Sequence, residues 1–170
     1  MFTSTSDEVI TSNSDDFNDV IINDGLIGYW KLDETAAGSC SGELNDACDS
    51  SGYGNDGAWN GDATASAAVA SLNFTNDRSV TLDGTGDYVE TANTTSLDLT
   101  GAVTVSAWIN TSTQNNERIA ESRDSGSPFH GYTFYTDTSG FIVFQITASP
   151  DETTAFAQGT VDVVDGTWQH

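Results

Sequence analysis

The chain has 170 residues, enough for one domain that buries roughly 70% of the surface its unfolded form exposes. Its 26 acidic residues face only Lys31, Arg78, Arg118 and Arg123, a formal net charge of −22. Such a field repels phosphate backbones over roughly 8 Å at physiological salt, which argues against a nucleic-acid partner, and no apolar run approaches the ~18 residues of a membrane-spanning helix.

Residues 1–24 are mostly Ser, Thr, Asn and Asp. They bury too little apolar area to offset the cost of ordering and read as a flexible leader or linker. They also lack the basic start and apolar stretch of a signal peptide. Order begins at Leu26–Leu32, where period-2 counting puts Leu26, Gly28, Trp30 and Leu32 on one face of a strand and Ile27, Tyr29 and Lys31 on the other. A long Gly-, Ser- and Asp-rich loop follows, from Asp33 to Gly57. It contains the only two cysteines, Cys40 and Cys48. An even pair in an acidic, loop-rich chain reads as a disulfide, two free thiols being the alternative. A disulfide implies an oxidising compartment, so the export signal is expected outside this chain, as part of a longer protein.

The loop closes with Asp49-Ser-Ser-Gly-Tyr-Gly-Asn-Asp-Gly57. Calcium takes six to eight oxygens at about 2.3–2.6 Å, and glycines let carbonyls turn inward. Asp49, Asn55 and Asp56 would supply side chains and Gly52 or Tyr53 a carbonyl. The alternative is a loop of Asx turns whose side chains bond its own amides. The spacing is not that of an EF-hand.

Downstream, 60–71 reads as loop. Ser79–Asp83 and Tyr88–Thr91 flank Gly84-Thr-Gly-Asp87 in a hairpin pattern. Val103–Ile109 alternates, with Trp108 on the face opposite Val103, Val105, Ala107 and Ile109. Arg118–Ser122 is a weaker strand. Gly131–Tyr135 and Phe141–Thr147 are strong ones, joined through Asp137-Thr-Ser-Gly140, and Thr154–Gln158 and Val161–Val163 add one or two more. Many short strands with Gly, Asn and Asp turns and little helical periodicity predict an all-β antiparallel two-sheet sandwich.

Four segments fall in a familiar order: Gly25–Glu34, Asp49–Gly57, Val80–Val89 and Val103–Ile109. In sequence and spacing they resemble the concanavalin A-like, laminin G-like (LamG) jelly-roll domains of extracellular proteins. The resemblance covers residues 25–170, and Gly166-Thr-Trp-Gln-His170 looks like that family's Gly-x-Trp-His-His-Val strand with Gln169 in place of the first His. The family continues for several strands beyond this point, so the resemblance implies a jelly roll incomplete at its C-terminus. An uncovered edge and apolar face would then promote association.

The resemblance also implies a bound calcium, and Asp124 stands where the distantly similar pentraxins place calcium-binding acids; a solvated turn is the alternative there. Tyr29, Trp59, Trp108 and Tyr135 carry the flat apolar faces that stack on sugar rings, Trp59 favoured because it adjoins the acidic loop, although most aromatics in a sandwich are core. Catalysis finds no support. No Glu-x-Asp pair of the glucanase type occurs, Glu117 and Glu121 read as surface charges, and His130 and His170 have no nucleophile-elbow partner. Asn73, Asn93 and Asn110 head segments that fit the glycosylation acceptor pattern, which a Thr-, Ser- and Asn-rich chain also matches by chance and which matters only in a secreting eukaryote. The expectation is a non-catalytic extracellular or cell-surface module of a larger protein that binds glycan or an extracellular protein, with calcium as stabiliser. The alternatives are a structural spacer, or an accessory domain of a glycoside hydrolase or other secreted enzyme.

Overall fold

The computed structural model describes residues 25–36, 38–40, 46–72, 75–99, 101–123, 130–148 and 153–170. The leader at 1–24, Asp124 and the Asn73 sequon lie outside them. Every strand pairing is antiparallel, and no helix occurs among the described residues. This is the all-β antiparallel class that strand alternation and turn chemistry predict. Contacts divide the chain into two units, Met1–Thr100 and Gly101–His170.

The first unit holds β1 (Gly57–Asn60), β2 (Thr64–Ser66), β3 (Ser79–Thr81) and β4 (Tyr88–Thr91). β1 pairs with β4, from Gly57 opposite Thr91 to Asn60 opposite Tyr88, and β2 pairs with β3, from Thr64 opposite Thr81 to Ser66 opposite Ser79. These are two lengths of one ribbon, interrupted by 61–63 on one side and 82–87 on the other. The expected hairpin of 79–83 with 88–91 does not form. Gly84 and Gly86 do adopt positive φ, but the turn they make is the interruption, and each flanking strand takes its partner from 57–66. The same pairing corrects the reading of 60–71 as loop, because three of those residues are β2. Leu26–Leu32 contributes one isolated bridge, Trp30 to Asp49, rather than a continuous strand.

The second unit is a four-stranded sheet in the order β5-β6-β7-β8, formed by Arg118–Arg123, Gly131–Thr136, Phe141–Ala148 and Thr153–Asp162. The β6–β7 hairpin is joined where the sequence predicts, with Gly140 at φ 79° and the Asp137 carboxylate accepting the Ser139 and Phe141 N–H groups. The weaker pattern at 154–163 is one ten-residue edge strand. Val103–Ile109 keeps its alternation in burial but joins only through an isolated bridge from Ile109 to Gln169.

Strand geometry sorts the side chains of this sheet onto two faces. Tyr132, Phe134 and Phe144 share one face, with ring centroids 5.8 and 6.2 Å from that of Phe144. Such aromatic pairs add ~0.5–1.5 kcal/mol beyond their buried area. Ile119, Phe134 and Ile142 surround an apolar cavity of about 130 Å³ together with Ala107 and Ile109. The opposite face carries Glu121, Thr133, Tyr135, Val143, Gln145, Phe156 and Gln158.

Candidate functional site

Among the described residues three groupings of polar side chains are candidates for functional chemistry, and the sequence singles out the first. In the loop before β1, both carboxylate oxygens of Asp49 accept hydrogen bonds. Oδ1 takes the Tyr29 and Ser51 N–H groups, both at 2.9 Å. Oδ2 takes the Ser51 hydroxyl at 2.7 Å and the Asn55 N–H at 2.9 Å. Burial works against the Asp49 charge, but these donors outweigh it and hold the carboxyl below the usual range. Asn55 is 1% exposed. Its amide donates to Ile27 O, and its Oδ1 accepts the Thr94 and Ser96 hydroxyls. Its carbonyl receives the Trp30 indole N–H at 2.8 Å. Asp56 Oδ1 accepts the Asp49 N–H. A carboxylate offers about four acceptor positions, and Asp49 commits all of them to the chain's own donors.

Cys40 and Cys48 form a disulfide, and the Cys48 N–H is held by Glu34 Oε1 at 2.8 Å. The buried Asp46 carboxylate accepts the N–H groups of Gly38 and Trp59. Together these bonds fasten the long loop to β1.

The second grouping lies at the interruption of the ribbon, where Asp62, Asp83 and Asp87 each bring a carboxylate oxygen within 4.8 Å of the others. Asp87 accepts the Asp62 and Asp83 N–H groups at 2.8 Å, and Asp83 accepts the Thr85 N–H at 2.6 Å. A hydrogen bond to the Asp87 side chain, then the charges of Asp87 and Asp83, push the Asp62 carboxyl above its usual range. Backbone donation from Asp83 holds Asp87 below it. Gly61, at φ +76°, is what lets Asp87 sit there: a Cβ would lie 2.2 Å from its Oδ1. An all-oxygen set with surplus negative charge is the donor chemistry that hard divalent cations take. The pattern reading missed these residues because turn aspartates are common, and only the pairing brings 62 beside 83 and 87.

The third grouping is a cleft of about 270 Å³ on the polar face of the four-stranded sheet, lined by Tyr135, Asp137, Val143, Gln145, Phe156 and Gln158. The register explains it. Tyr135, Val143 and Gln158 form one rung across β6, β7 and β8, and Thr133, Gln145 and Phe156 form the next. Val143, 4% exposed, is the floor, and Phe156, 70% exposed, stands up as a wall. Gln158 donates to Asp137 Oδ2. The N–H of Phe141 first, and after it those of Ser139 and the Gln158 amide, hold the Asp137 carboxyl below its usual range. Alongside, the Arg118 guanidinium lies 5.7 Å from the Tyr135 ring centroid. Glu121 is bonded by Arg118 at 2.9 Å and Arg123 at 3.1 Å and accepts the Thr133 hydroxyl.

The four aromatics singled out from sequence are distributed among several places. Tyr135 lines the cleft. Tyr29 is half-buried against the Asp49 loop, and Trp59 is half-buried on β1 opposite Val89, with its indole nitrogen buried. Trp108 is 44% exposed and packs on His170 at 4.9 Å, where His170 Nε2 also meets the Ser106 hydroxyl. Phe156, Gln145 and Gln158 were not singled out. Alternation along 141–147 and 154–158 puts them on one face, but only the register shows that they converge with Tyr135.

The family model described as the concanavalin A-like lectin/glucanases superfamily, in its type 3 laminin G form, matches residues 83–170. Among solved structures, an S-layer domain-containing protein from Clostridium thermocellum ATCC 27405, residues 221–444, is similar with a TM-score of 0.53 at 24% identity. The likeness covers 84% of this chain and 61% of that one, and at this identity it speaks to the fold alone. No curated protein matches. Among the described residues, no helix is long and apolar enough to cross a membrane.

Proposed function

We propose that this chain, which belongs to the concanavalin A-like lectin/glucanase superfamily, is a non-catalytic glycan-binding or adhesion module of a larger extracellular or surface protein. The observation that carries the reading is the cleft on the polar sheet face. Tyr135 and Phe156 offer flat apolar surface to a sugar ring, while Gln145 and Gln158 offer amides that donate and accept at hydroxyls. The similar fold is part of an S-layer domain-containing protein, and the proposal extends that surface, multidomain setting to this chain; the disulfide supports an oxidising compartment. Binding rather than hydrolysis is favoured because the acids beside the cleft are committed to the chain's own donors, Glu121 to two guanidinium groups and a hydroxyl and Asp137 to two backbone N–H groups and the Gln158 amide. Retaining hydrolysis instead needs two carboxylates about 5–5.5 Å apart that flank the scissile bond.

Calcium belongs to the same proposal as a stabiliser. The carboxylates of Asp62, Asp83 and Asp87 fit it, and its role there would be to neutralise their mutual repulsion. Asp49 fits less well, since a cation there has to displace four hydrogen bonds.

A glycan array probed with the chain tests the function. The expected result is a saturable signal on a subset of glycans, lost in Gln158→Ala and Tyr135→Ala and kept in Val161→Ala, an exposed control outside the cleft. A blank array with folded protein would leave a structural spacer in a surface layer as the better reading.

A further inference from the structure

Resting on the glycan-binding reading, we infer that the cleft selects neutral sugars and excludes anionic ones such as uronate or sulfated polysaccharides. The groups that would recognise an anion are already committed. Only four cationic side chains exist in the whole chain, and the two on this sheet face, Arg118 and Arg123, both ion-pair with Glu121. Freeing either guanidinium for a carboxylate or sulfate would strip Glu121 of a partner.

Among the described residues Glu121 and Asp137 stand against those two cations, so no net positive charge gathers beside the cleft in a chain of net charge −22. The surrounding field therefore opposes the approach of a polyanion and nothing local reverses it. A protonated amino sugar would be drawn in by that field, but its natural partner, Asp137, is satisfied by the Ser139 and Phe141 N–H groups and the Gln158 amide. What remains for a ligand is uncharged: the Tyr135 and Phe156 rings, the Gln145 amide and the free valences of the Gln158 amide. Such a set recognises ring C–H faces and hydroxyl pairs, the chemistry of a neutral hexose or pentose chain. Its affinity depends on contact area and hydrogen bonds and is insensitive to screening.

Affinity electrophoresis and calorimetry with the full chain decide it, with dextran, laminarin and galactomannan as neutral probes and heparin, hyaluronan and polygalacturonate as anionic ones. The expected result is binding to at least one neutral probe and to no anionic probe. Raising NaCl from about 50 to about 500 mM, which shortens the screening length from roughly 14 to 4 Å, should change that affinity less than about twofold. Phe156→Ala, at a site 70% exposed, should weaken it about tenfold or more while circular dichroism stays unchanged. Binding to an anionic probe that weakens steeply with salt overturns the inference and leaves the glycan-binding reading standing. Binding to no probe of either kind overturns both. Neutral binding that Phe156→Ala leaves intact overturns the assignment to this cleft.

Discussion

A single carboxylate, Asp49, organises the loop ahead of β1 by taking four donors from residues 29, 51 and 55. Its folded-state pKa lies below the ordinary 3.8, so it contributes stability that is present above that value and lost as pH falls through the depressed one. Urea midpoints measured against pH should therefore drop below about pH 4 in the wild type. Asp49→Asn should be destabilised by about 2–3 kcal/mol at neutral pH, because an amide cannot accept at both positions. It should also lose part of the acid-side slope; equal slopes in the two proteins would remove Asp49 from the account. The sequence supplied Asp49 and its turn chemistry. It did not supply the role of Asn55, whose bonds to Ile27, Thr94 and Ser96 cross 28, 39 and 41 residues and leave no local pattern.

Among the elements, the strands of the second unit were legible where period-2 alternation is strong. β6 and β7 fall within a residue of their expected bounds, and the acidic turn between them does the joining. The ribbon was not legible, for a physical reason. Gly84 and Gly86 provide the positive φ that a hairpin needs, but turn chemistry only permits a pairing, and the competing partners at 57–66 win it. β2, three residues long, is too short for its own periodicity to announce it. In the cleft, one face combines floor and wall, and the two should separate by experiment. Val143→Ala should cost about 2 kcal/mol in thermal unfolding because it empties a buried site. Phe156→Ala should cost less than about 0.5 kcal/mol because its ring is already in water. A large stability loss at Phe156 would mean that the ring is a packing element rather than a ligand wall.

At the scale of the whole molecule, charge outweighs every other feature of the composition. With 26 acids against four bases, compactness is opposed by self-repulsion, so both salt and divalent cations should stabilise. Calcium at about 100 times its dissociation constant adds about 2.7 kcal/mol if it binds only the folded state. In a chain of this size that raises the melting temperature by about 5–11 °C. The gain should exceed that from matched ionic strength of NaCl, vanish with chelator, and be lost in Asp87→Asn but kept in Asp56→Asn. A loss in Asp56→Asn instead would return the ion to the Asp49 loop, and an unchanged melt would remove it altogether. The wiring of Asn55 has a further consequence, in time rather than in energy. The Cys40–Cys48 closure spans eight residues, so its ends meet early. The bonds of Asn55 wait on 94–96, and chains governed by such distant contacts fold in about milliseconds to seconds rather than microseconds. When the protein refolds with its disulfide intact, the clamp is in place while the loop is still searching, and the buried amide closes among the last contacts of its unit; in a chain folding from the reduced state, oxidation at about seconds to hours comes after both.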